Sequence, residues 1–171
     1  MQGGAEPMKK IIATLCLLAL TGCATAPVKP VEYVNDVSYQ RIIDMPGMNK
    51  TDIFNKSRQW YALTFKSSKQ AIEYQDILAG KIIAKGSDTV YFTMDMPFGG
   101  TQKIPQAVGF TIVQEIKDEK TKITFNNIGL ISYTGSNYSN IDTGSWQQLE
   151  PRLAAFTDNL KAFLSSKETG W

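Results

Sequence analysis

Few residues in this chain have the type and spacing that catalysis needs. It contains no histidine, which removes the commonest general base, the serine–histidine triads and the usual zinc and haem ligand sets. Asp142-Thr143-Gly144-Ser145 has the letters of an aspartic-protease site, but the motif occurs once, and that chemistry needs two carboxylates sharing a proton. It stands in a polar loop before an amphipathic stretch, where Asp142 and Ser145 suit turn-shaping and helix capping. Glu73 and Glu115 would serve a carboxylate-dependent hydrolase only if the fold set them side by side; solvated surface is the alternative. The run PFGGTQK, residues 97–103, lacks the spacing and the following helix of a phosphate-binding loop. No catalytic residue, metal ligand or cofactor is expected.

One reactive side chain does stand in a specific setting. Leu20-Thr21-Gly22-Cys23 resembles the bacterial lipobox, in which the thiol takes a diacylglyceryl group and the chain is cut just before it. Lys9 and Lys10 precede an apolar run from Ile11 to Leu20. That run is shorter than the roughly 20 residues needed to cross a bilayer, and the order is that of a secretory signal peptide. Residues 1–22 are therefore expected to be removed, with Met8 the natural start and residues 1–7 an extension or tag. Each buried methylene is worth about 0.8 kcal/mol, so a two-chain lipid on Cys23 should hold the protein durably to a bilayer. Residues 23–35 carry Pro27 and Pro30 without an apolar period and read as a tether. No acidic cluster follows Cys23, so the expected location is the cell envelope, on the outer membrane facing the periplasm. The formal net charge of +2 shows no basic clustering and argues against nucleic acid as a partner. With Cys16 removed and Cys23 capped, no disulfide remains, and packing alone must hold the fold.

The elements that position everything else follow from periodicity. Val37, Tyr39, Ile43 and Met45 alternate with Ser38, Gln40 and Asp44 and predict a half-buried strand, interrupted by Arg41 and Ile42. Pro46-Gly47 ends it. Asn49 caps a helix with Asp52 answering at its third position, and Ile53, Phe54, Ser57, Trp60, Tyr61 and Thr64 form its inner face. A hairpin turns at Leu78-Ala79-Gly80. Strands follow with Val90, Phe92, Met94 and Met96 on one face, and with Val108, Phe110, Ile112 and Ile116 on one face. The apolar phase then slips between Phe125 and Ile128, predicting a bulge near Asn126-Asn127. Leu149, Leu153, Phe156, Leu160, Phe163 and Leu164 trace a closing helix, expected to begin near Pro151 because proline suits only a first turn. The sum is an α+β fold in which an antiparallel sheet of five to six strands, in the order β-α-β(4–5)-α, carries two helices on one face.

Arg41, Pro46-Gly47, the helix with Trp60, Gln75-Asp76, Gly80 and Ile82-Ile83 before Lys85-Gly86 resemble the domain of unknown function 4468 family over roughly residues 36–125. The resemblance implies a TBP-like fold in a secreted bacterial lipoprotein, extending as one domain over residues 36–168. It implies no activity, and these residues are structural. A helix-grip arrangement is the alternative use of the same element order. It would enclose a cavity lined by Met94, Met96, Phe110 and Phe156 and make the protein a carrier of lipid or another small apolar ligand.

With chemistry sparse, binding is the leading expectation. Two segments read as long loops, residues 96–106 with Phe98, Gln102 and Lys103, and residues 134–145 with Asn137, Tyr138, Asn140 and Asp142. Aromatic and amide side chains on loops suit an envelope protein, a glycan or a small ligand; ordinary solvated turn is the alternative. The sheet face bearing Tyr91, Thr93, Asp95, Thr111 and Glu115 is a further candidate surface.

Overall fold

The computed structural model describes residues 31–65, 71–96, 98–131 and 138–166, at Tyr138 and Ser139 by backbone alone. Residues 20–23, which include Cys23, and Asn137 lie outside the described residues. The chain divides into Met1–Pro30 and Val31–Trp171. In the second unit a short strand β1 (Tyr33–Val34) precedes β2 (Tyr39–Asp44) and helix α1 (Lys50–Thr64). Then come β3 (Ile72–Asp76), β4 (Lys81–Asp95), β5 (Thr101–Lys117) and β6 (Lys120–Ile131). Two short strands, β7 (Tyr138–Ser139) and β8 (Ile141–Asp142), lead into helix α2 (Thr143–Ser165). The main sheet is antiparallel in the order β2-β6-β5-β4-β3, with β7 added to β6, and β1 pairs with β8.

Both helices cover one face, as the pattern required. Ile43 of β2, Ile82, Ala84 and Val90 of β4, Val108, Phe110, Ile112 and Ile116 of β5, and Ile123 and Phe125 of β6 are buried beneath them. Helix α1 contributes Ile53, Phe54, Trp60 and Tyr61, and α2 contributes Leu149, Leu153, Leu160 and Leu164. Phe156 joins the layers edge-on, 4.6 Å from Trp60 and 5.3 Å from Phe125 between ring centroids. Phe125 meets Phe110 at 5.5 Å. The interior position that apolar patterning skipped, Gln114, is fully buried and donates to Ser57 Oγ (2.8 Å) and Thr121 Oγ1 (3.0 Å). A buried amide of this kind joins β5, α1 and β6 by hydrogen bonds that burial strengthens.

Arg41, which interrupts the alternation of β2, points to the helices with Tyr39 and Ile43. It pairs with Asp158 of α2 at 2.7 Å and donates to Thr157 Oγ1 at 3.1 Å. The bulge falls where the phase slip placed it: Gly109 faces Gly129 but Thr111 faces Asn126, and Asn127 takes φ +50°. Asparagine tolerates that left-handed backbone.

Four expectations need correction. β4 is one continuous strand rather than two, because Gly86-Ser87-Asp88 stays paired to β5 throughout. Residues 96–106 are largely strand: only the turn is loop, and Gln102 and Lys103 pair with Met94 and Thr93. Tyr33 and Val34 belong to the folded unit rather than to the tether, since they pair with Ile141 and Asp142. Helix α2 begins eight residues before Pro151, because Asp142 caps it by accepting from Ser145 N at 2.9 Å. Proline is tolerated inside because the carbonyl whose partner it removes belongs to Gln147 on the exposed side, where water can reach it.

Two substitutions separate packing from polarity in this core. Phe125→Ala should cost about 3–5 kcal/mol in urea unfolding, since three aromatic contacts are lost with the volume. Tyr61→Phe should be neutral or stabilising: its hydroxyl is buried without a partner among the described residues, and burial pushes the phenol well above its usual range.

Candidate functional site

The β4–β5 pairing runs without a break from Lys81 opposite Glu115 to Asp95 opposite Thr101. Its neighbours stop early: β3 reaches only Ala84, and β6 leaves β5 at Val108. Residues 89–95 and 101–107 therefore continue as a two-stranded arm about 20 Å long at roughly 3.3 Å per residue. Met96 N bonds Gly100 O and Gly99 N bonds Met96 O, both at 3.0 Å, closing the end. Gly99 (φ +89°) and Gly100 (φ +91°) supply the left-handed backbone this turn needs.

Alternation gives the arm two unlike faces. Phe92, Met94, Ile104 and Gln102 lie on the side continuous with buried Val90; Tyr91, Thr93, Asp95, Thr101, Lys103 and Pro105 lie on the other. Phe92, Met94 and Met96 are 36%, 46% and 42% exposed and Phe98 is fully exposed, so these side chains contribute little to the core.

Long unpaired edges invite aggregation, and this arm's edges are managed individually. On the β4 side, Gln148 of α2 accepts from Tyr91 N (3.0 Å) and donates to Tyr91 O (2.7 Å). Arg152 donates to Thr89 O (2.7 Å) and pairs with Asp88 (3.0 Å). Two side chains of α2 thus do for β4 what a neighbouring strand would. Tyr91 directs its polar backbone away from β5, so Pro105 opposite it lacks an N–H where no ladder bond would form. On the β5 side that proline blocks further pairing.

Inward of the arm, on the sheet face opposite the helices, lies a hollow of about 440 Å³ with mixed polar and apolar walls. Val34, Asp36, Val37, Lys85, Thr111, Asn127, Ile128 and Asn140 surround it, and Asn140 donates to Asn35 at 3.0 Å. Beyond it the open face carries a cross-strand row of Asp76, Lys81, Glu115 and Lys122, a sequence of alternating charge that favours the sheet. Lys122 bonds Glu115 and holds its carboxyl below the usual range, assisted by the charges of Lys81 and Lys117.

The residues singled out from sequence fall into two groups. Phe98, Gln102 and Lys103 share the arm. Asn140 and Asp142 sit on the β8 side, Asn140 at the hollow and Asp142 as the helix cap, where it also accepts from Ser145 Oγ at 2.6 Å. Tyr138 is placed by its backbone opposite Ile131. Glu73 pairs with Lys85 at 2.6 Å and Glu115 with Lys122, so both of these glutamates are matched to a lysine. Met94, Met96, Phe110 and Phe156 do not line one cavity: the methionines are on the arm, while Phe110 and Phe156 both pack on Phe125. Among the described residues no group of three or more metal-ligating side chains occurs, and no helix is long and apolar enough to cross a membrane. Sequence reasoning missed Gln148 and Arg152; neither stands out, because their partners are backbone atoms of a distant strand.

The family model described as a domain of unknown function (DUF4468) with TBP-like fold matches residues 39–130. A crystal structure of a DUF4468 family protein from Bacteroides ovatus ATCC 8483 is similar, with TM-score 0.55 and 15% identity over 84% of this chain and 95% of that one. A crystal structure of a TBP-like protein from Parabacteroides distasonis ATCC 8503 has TM-score 0.49 and 13% identity over 80% of this chain and 97% of that one. No curated protein matches the chain.

Removing the α2 brace should loosen the arm alone. Gln148→Ala should cost about 1 kcal/mol and speed amide exchange at Tyr91, with the Phe125 amide unchanged. Lys122→Met should move the Glu115 carboxyl midpoint up toward its ordinary value in an NMR titration. With a depressed folded-state pKa, the pair adds stability above the unfolded carboxylate value and loses it as pH falls through the folded one. At half exposure that contribution is small.

Proposed function

The chain belongs to the DUF4468 family of TBP-like domains, and on that premise we propose that it is a membrane-anchored lipoprotein of the bacterial cell envelope whose folded part is a non-catalytic binding domain. The observation that carries this reading is the arm: an amphipathic hairpin whose apolar side chains the core does not use. Exposed apolar patches that a monomer does not bury mark interaction surfaces. The side chains that resemble catalytic groups have structural work instead, Asp142 in a helix cap and Glu73 and Glu115 in lysine pairs. The lipobox supplies the attachment, and a tethered module can act at low intrinsic affinity because its local concentration is high. A protein, glycan or small ligand of the envelope is the class of partner such a module serves.

Cys23→Ser should shift the protein from the membrane to the soluble envelope fraction, and intact-mass measurement of the unaltered protein should find a lipidated N-terminus at residue 23. Cytosolic material with residues 1–22 retained and Cys23 unmodified would overturn the anchored reading. Glu115→Gln and Asp142→Asn should leave any measured hydrolysis in a substrate screen at background; turnover abolished by either change would overturn the non-catalytic one.

A further inference from the structure

We infer that the apolar end of the arm enters the same lipid bilayer to which residue 23 is fastened, giving the domain a second membrane contact; this rests on the anchored reading. The chain enters the folded unit at the end that bears the arm. Glu32 O accepts from Thr143 N (3.0 Å) and Thr143 Oγ1 (3.1 Å), so the chain enters the domain beside the first turn of α2. Gln148, about 7.5 Å farther along that helix, holds Tyr91 at the base of the arm. The opposite end of the sheet carries the Gly80 turn, where Gly80 O accepts from Ile116 N at 2.7 Å. Whatever their arrangement, the eight residues from Cys23 to Val31 span at most about 28 Å. Acylation at Cys23 therefore confines the end of the domain that bears the arm to the neighbourhood of the lipid.

The arm's chemistry matches that surface. Phe92 and Met94 share one face of the arm and Met96 and Phe98 stand exposed at its end, while Asp95 and Thr93 lie on the opposite face. Lys103, also on the polar face, can meet anionic headgroups. The turn's internal bonds between Met96 and Gly100 and between Gly99 and Met96 satisfy backbone groups that lipid could not. An amphipathic element of this kind settles about 5–10 Å into the headgroup–acyl boundary. A second copy is the weaker occupant, since Pro105 blocks one edge and Gln148 and Arg152 occupy much of the other.

The test uses the lipidated protein in phosphatidylethanolamine–phosphatidylglycerol vesicles, with Phe98→Cys carrying a polarity-sensitive fluorophore. With Cys23 acylated and Cys16 removed, the introduced thiol is the reactive one. The label at 98 should emit blue-shifted and lose intensity to brominated acyl chains, while one on Asn55→Cys, exposed on α1, should do neither. Water-like emission at 98, or self-quenching between copies without bromolipid quenching, overturns the inference and leaves the anchor standing. A mass spectrum without lipid at residue 23 overturns the anchored reading. The same label at 98 is then read in soluble protein carrying Cys16→Ser and Cys23→Ser, with vesicles added: a blue shift upholds the arm's lipid contact, and its absence overturns it.

Discussion

The fold depends on one unbroken antiparallel ladder, from Lys81–Glu115 to Asp95–Thr101. Because β4 and β5 stay paired beyond every other strand, the same two strands serve as the centre of the sheet and as the arm. Their inner half, with Ile82, Ala84, Phe110 and Ile112, lies beneath both helices. The outer half keeps the same alternation, but beyond buried Val90 its side chains Phe92 and Met94, equivalent in pattern to core positions, are exposed among the described residues.

A ladder that outlasts its sheet leaves edges, and α2 satisfies one of them. The Asp142 cap starts the helix at Thr143, more than two turns ahead of Pro151. Those extra turns carry Gln148, and Arg152 follows Pro151 on the same side. Leu149 and Leu153 meanwhile sit in the core. One helix thus packs the interior and stands in for a strand, which couples the cap at Asp142 to the order of the arm.

The carboxylates that the sequence singled out are each engaged by neighbouring groups: Asp142 by Ser145, Glu73 by Lys85 and Glu115 by Lys122. The carboxylates of the open face alternate with lysines along a cross-strand row, Arg41 ties β2 to α2, and the buried amide of Gln114 joins three elements. Among the described residues, the arm exposes apolar side chains that the core does not bury, and a hollow bounded by Asn127 and Asn140 lies on the face opposite the helices.

By itself the sequence determined the element order, the one-sided helices, the capping at Asn49, the bulge at Asn126-Asn127 and the aromatic positions of the core. Each depends on local periodicity or on a backbone preference carried by one or two neighbouring residues. The resemblance through Arg41, Pro46-Gly47, Trp60 and Gly80 rested on the same local features. Tertiary structure alone decided that Phe98, Gln102 and Lys103 belong to an arm rather than a loop, and that α2 starts at Thr143. Pro97, Gly99, Gly100 and Pro105 read locally as breakers; whether a proline breaks a strand depends on whether its missing N–H faces a partner. Here the non-hydrogen-bonded pair with Tyr91 and the side chains of Gln148 and Arg152, about 60 residues away in the chain, remove that conflict. Such long-range backbone satisfaction leaves no periodic trace in a sequence.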